Sequence, residues 1–472
     1  MRKSFLVVLT CALTFVFPAL AQQTGADWIA KYLEAHNSGE RARIDAFAAD
    51  AGVTSGQLWR LVRELGPATL ESTQGEMYWL RGSISQSILG VRLRESDRGV
   101  QFVGIRSGGA PDRPTPLPIL GGDALKEHLH QYLSDSADAG LFSGAVAVAK
   151  GDEVIFEGAF GMADRAAGRA NDNETQFRLA SISKMFVAVA TLQLVEQGLT
   201  SLDDTISRFL PDYPERVARQ VTIRHLLTHT SGIEMDEDER FDRLVAQADS
   251  LDEVYAAHIE CIERMNDNRY ENFAPLGSFD YSNENYDLLG IIIQRITGLT
   301  WEQYLREKIF APAGMSNTGF YGNHGAPASL SAGYTSRLPG AEEAGGTIAI
   351  SREQWDTPRP AGGVCSTASD MARFARALLS YKLLSKESTD AMLSPQAEVM
   401  RTPEFTRSYG LGSAMHASPK WTSVGHTGSV YGASTSFEMY RESGHVIVVL
   451  CNIDGWMSQP VADYIREVSG AK

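Results

Sequence analysis

Positive charge is in short supply in this 472-residue chain: 43 lysines and arginines stand against 58 aspartates and glutamates, a net charge of −15. That balance leaves no basic face of the kind nucleic acid or an anionic membrane selects, so neither is expected as a partner. Cysteine is scarcer, with four in all. Cys11 lies in an N-terminal apolar stretch, and Cys261, Cys365 and Cys451 remain. An odd number cannot pair completely, which argues against a disulfide scaffold. Past the N-terminus no apolar run is long enough to span a bilayer. Internal repeats are absent, as is a glycine-rich dinucleotide fingerprint. His225 and His229 have the spacing of a zinc pair, but no glutamate follows His225 as a metalloprotease requires. No metal and no organic cofactor is expected.

The first residues carry a signal pattern. Arg2 and Lys3 precede the apolar stretch Phe5 to Phe17, and Ala19-Leu20-Ala21 closes it with the small-x-small pattern of a cleavage site. Residues 1–21 are therefore expected to be a signal peptide. Their removal takes away two positive charges and no negative ones, so −15 becomes −17. A periplasmic or secreted product without a stable membrane anchor follows.

Residues 24–106 read as a small α+β domain. Helical spacing of apolar residues runs over Trp28–His36, Arg41–Ala49 and Ser55–Glu64, and strand-like alternation over Met77–Ile84, Ile88–Leu93 and Val100–Ile105. Its single histidine, His36, is expected on an exposed helical face, and no chemical site is apparent. Residues 107–118 (SGGAPDRPTPLP) form a linker. Residues 119–472 read as one large domain. A helix at Asp123–Ser136 leads into a hairpin of Gly144–Ala149 and Val154–Phe160, and a helical middle follows. Strands at Ser434–Tyr440 and Val446–Cys451 and a helix at Pro460–Val468 close the chain. Strands at both ends predict one antiparallel sheet built from both termini and flanked by helices, an α+β architecture. The acid-rich stretch Glu234–Asp267 is expected to be a solvated helical face.

Ser181-Ile182-Ser183-Lys184 is the principal chemical signal. A serine hydroxyl becomes a good nucleophile only when a base takes its proton. Three residues apart on a helix, Ser181 and Lys184 share a face. The apolar run Met185–Gln197, stopped by Gly198, supplies that helix. Ser181 is then expected in its first turn, where free backbone N–H groups favour developing negative charge. Lys184 serves as a base only when neutral, a state that burial and cationic neighbours promote. The spacing recurs at Ser469–Lys472, where a frayed terminus is expected to form no pocket.

Further motifs accompany it in order. Phe177 to Lys184, Val221 to Gly232 (VTIRHLLTHTSG), Tyr281-Ser282-Asn283 before a helix, and Gly425-His426-Thr427-Gly428 before a strand resemble the serine β-lactamases, D,D-peptidases and related esterases. The likeness is to the class C β-lactamase and D-alanyl-D-alanine carboxypeptidase branch, and covers Leu120 to Arg466. Tyr-x-Asn also occurs at Tyr270 and Tyr321, but Pro275-Leu276-Gly277 and the following helix favour Tyr281. The resemblance implies Ser181, Lys184 and Tyr281 as catalytic residues, with Tyr281 relaying protons and Asn283 orienting Lys184. It further implies His426, Thr427 and Gly428 as the substrate-binding strand. The backbone N–H groups of Ser429 and Ser181 would form the oxyanion hole.

Histidine at 426 replaces the lysine commonest at that position, so anchoring of a substrate carboxylate by a fixed charge is in question. The expectation is an exported serine hydrolase, of esterase or D,D-peptidase type, acting on a small-molecule or peptide substrate by acyl transfer. The rivals are a dedicated β-lactamase and a non-catalytic protein that binds wall fragments. Oligomeric state is left open.

Overall fold

The computed structural model describes residues 24–96, 99–106, 116–233, 239–264, 276–322, 325–338, 341, 347–350, 359–455 and 457–472. The expected signal peptide, most of the linker and the Tyr270–Asn272 alternative lie outside them.

Helices α1 (Gly25–Ser38), α2 (Arg41–Ala51) and α3 (Ser55–Leu65) precede the meander β1 (Ala68–Gln74), β2 (Met77–Gly82), β3 (Ile88–Ser96) and β4 (Gly99–Arg106). These elements bury a core of their own, with Trp28, Tyr32, Leu58, Leu61, Leu80 and Val91 at its centre. His36 departs from expectation. It is buried, its Nε2 bonds the carbonyl of Gly66 at 2.6 Å, and its Nδ1 meets the Tyr32 hydroxyl at 2.8 Å. A polar residue closes the inner face of α1 because the α3–β1 turn supplies it with an acceptor.

The rest is the expected antiparallel sheet flanked by helices. Helix α4 (Gly122–Asp138) leads into β5 (Gly144–Lys150) and β6 (Glu153–Phe160). The later strands are β7 (Ala397–Arg401), β8 (Thr406–Tyr409), β9 (Ala414–Ala417), β10 (Thr422–Val430), β11 (Ala433–Tyr440) and β12 (His445–Cys451). They order as β7-β8-β9-β10-β11-β12-β5-β6, so the last strand of the chain pairs with the first of this sheet, Cys451 opposite Gly144. Side chains of β12 divide by parity. Val446, Val448 and Leu450 enter one core, while Ile447, Val449 and Cys451 enter the other. That is the period-2 signature of a strand covered on both faces.

The second core lies under α4 and α10 (Ser458–Ser469). The larger first core holds α5 (Ser183–Glu196), α6 (Glu239–Gln247), α7 (Leu251–Arg264), α8 (Glu284–Thr297) and α9 (Ala368–Leu379). Helix α5 is apolar nearly all round and buried from Ser183 to Leu192, as a central helix must be. The acid-rich stretch is not merely solvated. Helices α6 and α7 bury Phe241, Val254, His258 and Cys261, because α6 packs on α7 and α7 on α8. The C-terminus is packed rather than frayed, with Ser469 and Ala471 buried and the Lys472 N–H donating to the Ser443 hydroxyl.

Candidate active site

The chain enters the site through a distorted turn. Ala180 has φ of 49°, a left-handed value that costs a residue with a Cβ on the order of 1–3 kcal/mol. Ser181 follows in a 3₁₀ turn, Ala180–Ile182, and the α-helix begins only at Ser183. The serine thus precedes the helix rather than occupying its first α-helical turn, since the reversal at Ala180 turns the chain toward the sheet. Thr435 Oγ1 donates to the Leu179 carbonyl at 3.0 Å and fastens this turn to β11. Ser183 Oγ accepts the Val364 N–H at 3.1 Å, which ties it to the Gly362-Gly363 loop.

Lys184 is fully buried. Its Nζ stands 3.1 Å from Ser181 Oγ, 2.8 Å from Asn283 Oδ1 and 3.0 Å from the Ala361 carbonyl. These three oxygens are uncharged. The ring of Tyr281 lies 4.8 Å from the same nitrogen. Asn283 sits at the N-terminal boundary of α8. By contrast, Tyr321 donates its hydroxyl to the Gly362 carbonyl at 3.1 Å, a supporting role in the loop.

Strand β10 forms the opposite wall. Gly428 lies flat against the turn: a Cβ there would come within 2.2 Å of the Leu179 carbonyl oxygen and 2.5 Å of Thr435 Oγ1. Glycine is required because backbone, not a mobile side chain, fills the space. Gly428→Ala is expected to push β10 off the turn and slow acylation by about 10²-fold, as an ångström of misplacement does, with the fold retained. Stopped-flow acylation beside near-ultraviolet circular dichroism checks this.

Two histidines flank Lys184, and both are uncharged. His426 Nδ1 lies 2.6 Å from the Thr427 carbonyl, which only accepts, so that nitrogen carries the proton. Nε2 therefore accepts from the Tyr409 hydroxyl at 2.9 Å. Burial, reinforced by the Lys184 charge, lowers the His426 pKa to about 3. His229, at φ of 55°, accepts the Ser282 N–H on Nδ1 at 3.1 Å and stacks 4.2 Å from the Tyr281 ring. Burial first, then Lys184 and His426, hold it well below its ordinary value. Four residues earlier, His225 is engaged in a capping box with Thr222. Among the described residues no group of three or more histidine, cysteine, aspartate or glutamate side chains is arranged to hold a metal. Cys365 is buried and its thiol is pushed up to about 12, so it stays protonated and inert.

Behind this lies a charged layer that spacing alone did not reveal. Glu284 and Asp287, each 1 % exposed, face Arg359, whose Nε donates to Asp287 Oδ2 at 2.8 Å. His258 of α7 stands 3.8 Å from the same carboxylate oxygen. The Arg359 carbonyl accepts the N–H groups of Gly362 and Gly363, closing the turn that presents the Ala361 oxygen to Lys184. A second residue the sequence did not flag is Arg407 of β8, exposed on the cleft wall beside His426.

Of the eight residues expected from the sequence, Ser181, Tyr281, His426, Thr427, Gly428 and Ser429 line one cleft of about 1020 Å³, and Lys184 and Asn283 lie beneath Ser181. A short hydrogen-bonded chain of serine, buried lysine and asparagine at the floor of an open cleft, with a glycine strand alongside, is the arrangement of a serine acyl-transfer enzyme. Residues 126–471 match the family described as Beta-lactamase, and the chain belongs to it. It is 31 % identical over 340 residues to penicillin-binding protein 4* of Bacillus subtilis (strain 168), covering 69 % of this chain and 72 % of that protein. It is 38 % identical over 186 residues to the esterase EstB of Burkholderia gladioli, covering 38 % and 47 %. The crystal structure of a D-stereospecific amidohydrolase from Streptomyces sp. superposes with a TM-score of 0.58 at 26 % identity, covering 74 % of this chain and 99 % of that one. The protein is a serine hydrolase of the β-lactamase and penicillin-binding-protein family.

Proposed function

We propose that this is an exported acyl-transfer hydrolase of esters, amides or D-amino-acid peptides, with Ser181 as nucleophile and Lys184 and Tyr281 as the proton-handling pair. The observation that carries the reading is the hydrogen-bonded set at Lys184. The charged amine donates to all three oxygens. When it gives up the proton directed at Ser181, its two remaining hydrogens satisfy Asn283 Oδ1 and the Ala361 carbonyl, and its lone pair then faces the Ser181 hydroxyl at 3.1 Å. Ser181 Oγ bonds to the substrate carbonyl carbon while Lys184 takes its proton. The N–H groups of Ser181 and Ser429 hold the oxyanion, whose stabilisation is worth about 10²–10³-fold per donor in such sites. The tetrahedral species collapses, its bond to the leaving group breaks, and the proton passes by way of Tyr281 to that group. Water repeats the sequence on the acyl-enzyme, releases the acid and returns the proton to Ser181.

Substrate choice follows from charge. His426 is neutral and both its ring nitrogens are engaged by Thr427 and Tyr409, so it meets a substrate by shape rather than by charge, and Arg407 is a cation on this wall. The names of the relatives span a penicillin-binding protein, an esterase and a D-stereospecific amidohydrolase, which supports a general hydrolase over a dedicated β-lactamase. Intact-mass measurement after exposure to a fluorophosphonate and, separately, a fluorescent penicillin tests this, with the adduct mapped by peptide sequencing. One fluorophosphonate adduct per chain, on Ser181, is expected. Penicillin labelling that persists moves the substrate toward D-amino-acid peptides. Rapid penicillin turnover would establish a β-lactamase instead, and no adduct with either probe would leave a binding protein.

A further inference from the structure

The cleft that opens on Ser181 does not end at the catalytic domain. Its far wall is the N-terminal unit: His36, Asn37 and Gly39 at the end of α1, and Arg63, Glu64 and Gly66 at the end of α3 line the same cavity as the catalytic serine. The two parts are fastened where this wall meets α4. Tyr132 donates its hydroxyl to the Ser85 carbonyl at 2.7 Å. Gly66 is covered by Leu141, so that a Cβ at 66 would lie 2.6 Å from Leu141 Cδ1. The wall is thus set by buried contacts rather than by the linker alone.

Two properties of this cavity exceed what a small acyl group needs. Its volume, about 1020 Å³, lies at the upper end for small-ligand sites, which run to about 1,000 Å³. Its charge is opposite to that of the protein. In a chain of net charge −15, the lining holds four arginines, Arg63, Arg165, Arg337 and Arg407, against two carboxylates, Glu64 and Asp454. Arg337 is tied to Asp454 at 2.9 Å. Arg165 donates to Thr347 at 2.8 Å and lies over the Tyr334 ring, which fixes its guanidinium in the lining of the same cavity as the N-terminal residues. A cationic cleft in an acidic protein concentrates and orients anionic substrates.

We propose that the N-terminal unit is part of the substrate site, its Arg63–Gly66 segment with Arg165 forming a distal subsite for the anionic end of an extended acyl chain whose carbonyl sits at Ser181. The proposal deepens the hydrolase reading and rests on it. Substrates long enough to bridge the cleft gain the distal contact, and short neutral esters reach only the catalytic wall.

The test compares two peptides on the full mature chain: a tri-D-alanine p-nitroanilide capped with succinyl and the same peptide capped with acetyl. Wild-type protein is expected to favour the succinyl peptide in kcat/KM by about tenfold at low salt, a preference that salt weakens. Arg63→Glu is expected to abolish or invert that ratio through KM, and Arg63→Lys to restore most of it. Arg92→Glu, on β3 outside the cleft, reverses a charge on the same unit and is expected to leave the ratio alone. An unchanged ratio in Arg63→Glu, or no preference in the wild type, overturns the distal subsite while the hydrolase stands. Loss of all turnover together with no fluorophosphonate adduct in the wild type overturns the nucleophile assignment itself.

Discussion

Ser181→Ala and Lys184→Ala will each lower kcat/KM by about 10³-fold or more, and the double variant will be scarcely worse than either single one. The reason is that the two side chains perform one act. Without the hydroxyl, a base 3.1 Å away has nothing to deprotonate, and without the amine the hydroxyl keeps its proton. Groups that act as a unit show strongly non-additive losses, whereas independent contributors would multiply to about 10⁶-fold. Steady-state kinetics on a p-nitrophenyl ester for the three variants, with melting curves alongside, makes the comparison. Truncating Lys184 strips a donor from Asn283 and from the Ala361 carbonyl, a cost of about 1–3 kcal/mol per buried acceptor, so some fall in melting temperature accompanies the loss. Lys184→Cys alkylated with bromoethylamine restores an amine at nearly the same reach, and recovery of activity separates lost chemistry from lost structure. Multiplying losses would mean that Lys184 is not the partner of Ser181.

The second large effect is on stability. Arg359→Ala leaves Glu284 and Asp287, each 1 % exposed, without their guanidinium. Breaking a buried ion pair from one side costs about 3–5 kcal/mol, because the remaining charge stays desolvated. The pH dependence has a definite sign. In the wild type, burial pushes the Asp287 carboxyl up, but Arg359 and His258 more than offset it, and the net pKa is lowered. A lowered native pKa means stability that is present above the unfolded value, near 3.8, and lost as pH falls through the native one. In the variant the upward push of burial is opposed by His258 alone, and the carboxyl takes up a proton more readily when folded than it does beside Arg359. The gap between wild type and variant is therefore largest near neutral pH and narrows as pH drops toward 4. Urea titrations at pH 7 and pH 4.5 read it directly, and a constant gap would remove Asp287 from the explanation. Activity should fall as well, since the Arg359 side chain, through Asp287 and Glu284, holds in place the backbone whose carbonyl closes the turn that presents the Ala361 oxygen to Lys184.

These two predictions differ in how visible their residues are in the sequence. Ser181 and Lys184 announce themselves because helical spacing is local: three residues apart means one face, whatever the rest of the chain does. His426-Thr427-Gly428 is legible only through its resemblance to the family's strand motif, and that the glycine makes room for the Leu179 backbone emerges only in the fold. The sheet assembled from both termini is readable from the short apolar strand-like runs Val446 to Cys451 and Gly144 to Ala149 at the two ends of the domain. Arg359 was not legible. It lies in a stretch without periodicity, and its partners are 72 and 75 residues away. Arg407 looks like any charged residue on a short strand until Tyr409, two residues on, is found bonded to His426. His36 misled because a lone histidine on an amphipathic helix carries no sign of the Gly66 carbonyl that meets it. Local rules recover elements and motifs, whereas the walls of the cleft depend on which distant surfaces meet.

The seam between β12 and β5 bears on how such a chain can be made. Its pairing joins Gly144 to Cys451 and Lys150 to His445, one strand in from the β6 edge, and these contacts are among the most distant in sequence that the molecule possesses. Loop closure of that span must be completed before the pairing is rewarded, and topologies of this kind fold slowly. The N-terminal unit, with its local meander and its own core, can form as soon as residue 106 has been synthesised. The catalytic sheet has no such freedom. A chain halted before His445 would present the open edges of β5 and β11 to any neighbour, and unpaired edges of that length are templates for aggregation. Nascent-chain stalling at successive lengths should therefore show protease resistance arriving in two steps, the second only when the last strand is complete.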